Sequence, residues 1–148
     1  MAASSTVSYG VEVRSATPKG AIVLLGRIFF SLVFILAGSG HFAKQSVAYA
    51  ATQGVPLPSI TVPVSGLMAI LGGLSILLGY RVKVGAALIA LFLAVVTPMM
   101  HNFWAVHDPM MQQMQMAMFL KNISMLGGAL LISQFGAGPL SLDARRSR

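Results

Sequence analysis

There is no cysteine among the 148 residues, which excludes disulfides, thiolate metal sites, thiol redox chemistry and covalent c-type haem. Acids are almost as scarce: Glu12, Asp108 and Asp143 stand against ten Lys and Arg. No pair of catalytic carboxylates, nucleophile–base pair or phosphate-binding loop can be assembled from this inventory, which speaks against an autonomous hydrolase. Charge of either sign is rare, at 9% of residues, where a soluble domain carries about a quarter.

What is present is apolar. Hydrophobic residues make up 56% of the chain, and the mean hydropathy is +0.81. Four segments reach the length of about 20 residues needed to cross a hydrocarbon layer; they fall at 20–43, 60–80, 84–104 and 114–135. Between them lie a connection at 44–59 with the turn signal QGVPLP, a tight hairpin YRVK, and the loop AVHDPMMQQ with its Asp-Pro. The chain therefore reads as an all-α membrane protein, a four-transmembrane-helix bundle. A polar leader occupies 1–19, the bundle 20–135 and a basic tail 136–148. Ala48-Tyr49-Ala50 has the spacing of a signal-cleavage site, but the first apolar run is too long and His41 and Lys44 intervene, so an uncleaved first helix is expected.

The net charge of +7 flanks the apolar runs and forms no stripe, which argues for topology and against a nucleic-acid partner. Arg14, Lys19, Arg81, Lys83, Arg145, Arg146 and Arg148 gather at one side, Lys44 and Lys121 at the other. The positive-inside rule then predicts both termini cytoplasmic and the stretch PMMHNFWAVHDPMMQQMQMAMF outward-facing. Small residues are expected to carry helix packing, at Ala86, Ala90 and Ala94, at Ala69 and Gly73, and at Ser124 and Gly128.

Polar residues at membrane depth are costly and therefore informative. Arg27 lies two turns inside the first segment, where it either snorkels or pairs within the bundle. His41, fourteen residues on and about 21 Å away at 1.5 Å per residue, belongs to the other end with Lys44. His101 and Asn102 close the third segment, Trp104 suits the interfacial belt, and Pro98 is placed to bend the helix before them. Lys121 and Asn122 enter the fourth segment among apolar neighbours, and Asp108 is the acid within reach for a Lys121 pair. The cluster His101, Asn102, Trp104, Lys121, Asn122, His41 and Lys44 is the predicted ligand-binding site.

The runs GRIFFSLVFILAGSGHFAK, GGLSILLGYRVKVGA, LKNISMLGGALLI and GAGPLSLD together resemble the DoxX family of small four-helix membrane proteins, over about residues 26–143. On that resemblance Arg27, His101, Lys121, Asn122, Gly136, Gly138, Ser141 and Asp143 occupy motif positions, with Pro139 in the closing signature and Lys44 a looser match. Ser65 stands where many members carry an acid early in the second helix. The resemblance implies a bacterial inner-membrane protein and a role beside oxidoreductase systems, quinone-linked or tied to oxidative stress, through partner subunits or a homo-oligomer.

The leading functional expectation is a membrane subunit holding a quinone-like lipophile in the outer half of the bundle. Copper handling is a second reading, with His101, His107, Met110, Met111 and Met114 as imidazole and thioether donors. A haem b clamped by two of His41, His101 and His107 is a third. The last is a scaffold that recruits soluble redox enzymes through GAGPLSLDARRSR, whose Asp143 would pair with Arg145 and Arg146 or with Arg81 and Lys83.

Overall fold

A computed structural model describes residues 18–146; most of the expected leader, with Arg14, and the terminal Arg148 lie outside them. Helix α1 spans Pro18–Gly40, α2 Lys44–Thr52, α3 Pro58–Leu78 and α4 Val82–Met100, followed by a 3-10 turn at Phe103–Ala105, then α5 Pro109–Phe135 and a short α6 Leu142–Arg146. Four helices are long and apolar enough to cross a membrane, and no strand occurs among the described residues. The expected membrane bundle is present.

Local chemistry sets the boundaries. Pro58 and Pro109 occupy first-turn positions, where a missing N–H costs nothing and φ is already helical. Asp108 caps α5 by accepting the Met111 N–H at 2.8 Å, so α5 starts at Pro109 and not at 114, and this carboxylate serves its own helix instead of Lys121. Gly79 (φ 68°) ends α3, with Gly79 N–H donating to Ile76 O and Tyr80 N–H to Ser75 O. Those two bonds form a Schellman cap, which needs the left-handed conformation glycine tolerates. α4 runs through Pro98 to Met100 without ending. The connection 44–59, expected as loop, contains α2.

Neighbours in sequence are neighbours in space: α1 packs on α3, α3 on α4 and α4 on α5. Lipid supplies no hydrophobic drive between helices, so close backbone approach must hold them. Gly38 and Gly66 meet across α1 and α3: a Cβ on Gly66 would lie 2.6 Å from His41 Cβ and 2.8 Å from Gly38 O. Gly72 and Gly85 do the same across α3 and α4. Of the expected ridges, Ala69 and Ala86 are buried and Gly128 lies under the Phe30 ring. Ala94 and Ser124 are exposed; Ala94 lies two i+4 steps from Ala86, a drift of about 80° on a helix with 3.6 residues per turn. Phe34, Ile76, Ile89, Phe92 and Leu93 fill the centre.

The two ends differ in chemistry. At the arginine end, Arg27 is 4% exposed and donates to the carbonyls of Ala137 and Leu77; it is paired within the bundle and does not snorkel. The tail folds back over this end. Asp143 accepts the N–H groups of Arg81 at 2.8 Å and Val82 at 3.1 Å, and its own N–H donates to Gly79 O at 2.8 Å. It thus caps α4 from 61 residues away, whereas the sequence suggested pairing with arginine or lysine side chains.

Candidate functional site

The histidine end holds a cavity of about 370 Å³. Val62 and Ser65 of α3 and Val95, Val96, Met99 and Met100 of α4 form its walls, α2 contributes Ser46, Tyr49 and Ala50, and His41 and His101 are both in its lining. α2 follows α1 after a turn at 41–43 and lies across this end, with Ser46 Oγ donating to Gly40 O at 2.7 Å. The walls are mainly apolar, and the polar groups are few: the pattern of a small-ligand site.

Hydrogen bonding fixes which nitrogen each imidazole offers. Ser65 Oγ donates its single proton to Val62 O at 2.8 Å, so its 2.8 Å contact with His41 Nδ1 makes Nδ1–H the donor. His101 Nδ1–H likewise donates to Gln115 Oε1 at 2.8 Å, and the Gln115 amide donates onward to the Tyr49 hydroxyl at 3.3 Å. In this tautomer a neutral ring keeps the Nε2 lone pair as an acceptor. Burial pushes the His41 imidazole below its ordinary value, opposed by a smaller effect of the Val62 carbonyl. His41 is thus neutral at pH 7. Its ring also packs 5.8 Å from Phe92.

Of the residues predicted from sequence, His41 and His101 come together in this lining and the others do not. Lys121 is exposed, with Nζ 3.3 Å from Met118 Sδ; Asn122 is buried on α5. Asn102 stands before the 3-10 turn, and Lys44 is exposed at the start of α2. Trp104 forms an edge-to-face cluster with Phe103 and Phe119, centroids 5.2 to 5.8 Å apart. His107 is exposed in its loop, and Met110, Met111 and Met114 are 80%, 43% and 48% exposed. No group of three or more His, Asp or Glu converges among the described residues.

Tyr49, Ser65 and Gln115 are site residues that the sequence reading left out. Ser65 carried a signal, as the place where an acid was expected. Gly136, Gly138, Pro139, Ser141 and Asp143 all lie at the arginine end: Gly136 and Gly138 take φ of 77° and 73°, and Ser141 Oγ accepts the Ala144 N–H at 3.2 Å.

A family model described as DoxX matches residues 22–102, from the start of α1 to just past His101. The chain belongs to the DoxX family. Two relatives of this DoxX protein in Escherichia coli K12 are the inner membrane protein YqjF, 29% identical over 82% of this chain and 88% of that one, and the inner membrane protein YphA, 29% identical over 86% and 91%. The ER-derived vesicles protein ERV29 of Saccharomyces cerevisiae is 26% identical over 86% of the DoxX chain and 34% of its own length. No solved structure matches. With four spanning helices and these relatives, this DoxX protein is a multi-pass inner membrane protein.

Proposed function

We propose that this protein binds a small hydroxyl-bearing lipophile, of quinol type, in the cavity at its histidine end, and serves an oxidoreductase system as a non-autonomous membrane subunit. The observation that carries the reading is the pair of imidazoles lining one apolar cavity, each held by its Nδ1–H so that Nε2 remains an acceptor. Acceptors select donors: a dihydroxy ring finds a partner at each Nε2, which an ether or a simple carbonyl cannot use. The volume, near the low end of ligand cavities, suits one ring. An acceptor imidazole is also the group that receives a proton when such a ring is oxidised; the electrons would go to a partner subunit. Orientation by the positive-inside rule puts the cavity on the outer side of the membrane.

The test is calorimetric titration of the full-length protein in detergent with a short-chain benzoquinol, the matching benzoquinone and the quinol dimethyl ether. Binding of the quinol at least tenfold tighter than the ether is expected, and lost in His101→Ala. Equal affinity for quinol and ether, or binding unchanged in His101→Ala, overturns the assignment.

A further inference from the structure

The arginine end carries a side-chain cluster that neither the cavity nor the Asp143 cap uses. Tyr80, in the turn between α3 and α4, has the Arg146 guanidinium 4.9 Å from its ring centroid and that of Arg81 at 6.0 Å. Both cations thus lie within cation–π reach of one partly exposed ring. Arg81 is one of two non-glycine residues with positive φ among those described, at 47°, a conformation that costs free energy outside glycine. That conformation persists because Asp143 accepts the Arg81 N–H. The same tail segment that holds Arg81 in place delivers Arg146, three residues further on.

Two like charges on one ring repel, and a carboxylate would be the ordinary remedy. Asp143, the acid at this end among the described residues, has one oxygen on Arg81 N–H and the other on Val82 N–H. Arg146, by hydrogen bonding and then by charge, and Arg81 by charge, pull the Tyr80 phenol below its ordinary value. The depth is defined as well. α3 has 21 residues, which at about 1.5 Å each spans the roughly 30 Å hydrocarbon layer, and Tyr80 comes two residues after its end. That is the headgroup layer, where phospholipid phosphates are concentrated.

We infer that Tyr80, Arg81 and Arg146 form a seat for the headgroup of an anionic phospholipid, the guanidinium forks holding phosphate oxygens and the phenol donating a further hydrogen bond. Anionic lipid is the occupant because the seat sits at headgroup depth, and because a net negative headgroup offsets two charges where a zwitterionic one brings its own cation.

Native mass spectrometry of the full-length protein, titrated with phosphatidylglycerol or phosphatidylcholine, tests this. The wild type is expected to retain phosphatidylglycerol at least fivefold better than phosphatidylcholine, and Arg146→Gln to lose most of that preference with unchanged thermal unfolding. Arg145→Gln with Lys83→Gln, which removes more charge from the same end, should leave the preference intact. Equal loss in that control reduces the effect to general attraction and overturns the seat, as does an unchanged preference in Arg146→Gln. Displacement of phosphatidylglycerol by millimolar inorganic phosphate would assign the cluster to a soluble anion and also overturn the lipid reading.

Discussion

The two ends of the bundle solve the same problem, polar groups at the edge of a membrane, in opposite ways. At the arginine end, charged groups are spent on the backbone: Arg27 on two carbonyls and Asp143 on two N–H groups, with the tail folded over them. At the histidine end, polar side chains bond to one another, His41 to Ser65 and His101 to Gln115 to Tyr49, around a space left open. Satisfying a backbone leaves nothing for a ligand, whereas a side-chain network that ends in a free lone pair keeps one contact in reserve. At the first end Arg27 and Asp143 hold the fold; at the second the imidazoles keep lone pairs for the proposed ligand.

The largest expected effect comes from unlocking the first end. Arg27→Met strips two buried carbonyls of their donor, at about 1–3 kcal/mol each, and Gly79→Ala adds strain at φ 68° together with a clash on Ser141 and Arg27. Both variants should accumulate poorly and unfold at clearly lower temperature in detergent; normal thermal stability in either would break the contrast between the ends. At the histidine end, Ser65→Asp should leave folding near normal and weaken quinol binding by about tenfold or more. A carboxylate beside Nδ1 favours the imidazolium, and its Nε2–H is no longer an acceptor; titration of quinol against the wild type reads this.

Smaller effects sharpen the comparison. Asp143→Ala removes a helix cap, about 1 kcal/mol, and should lower the unfolding temperature by a few degrees without touching ligand affinity. pH acts on the other end. The folded-state value of His41 lies below its unfolded one, so the unfolded chain binds the proton more readily and stability rises with pH. Stability should be full above about pH 6.5 and fall as pH drops below it, a trend that Arg27 variants share and His41→Gln abolishes. Lys121→Met is the smallest: with Nζ against Met118 on an exposed face, it should change neither ligand affinity nor stability, and a tenfold loss of quinol binding would extend the site beyond the cavity.

Depth was legible in the sequence and rotation was not. Apolar length and charge locate the four spans, though α5 starts at Pro109 and not at 114, and the separation of Arg27 from His41 follows directly. His101 and Lys121 were grouped because both lie toward the same end, yet one lines the cavity and the other does not. Which way a helix turns about its axis depends on neighbours such as Gly38 on Gly66, which no local pattern in α5 encodes. The Met and Gln alternation in α5 hid Gln115 for the same reason. α2 was missed because nine residues with mixed polarity give too little periodicity. Asp143 was assigned to arginine side chains because a cap supplied by a distant segment has no local signature.

That distant cap bears on how the protein is made. α4 and Arg27 are in place in the growing chain long before Ala137 and Asp143 leave the ribosome, so for that interval a buried guanidinium and an uncapped helix start await their partners. Synthesis of the segment from Ala137 to Asp143 supplies these partners. A chain cut short after Phe135 would carry every membrane span and leave the buried Arg27 without its Ala137 carbonyl.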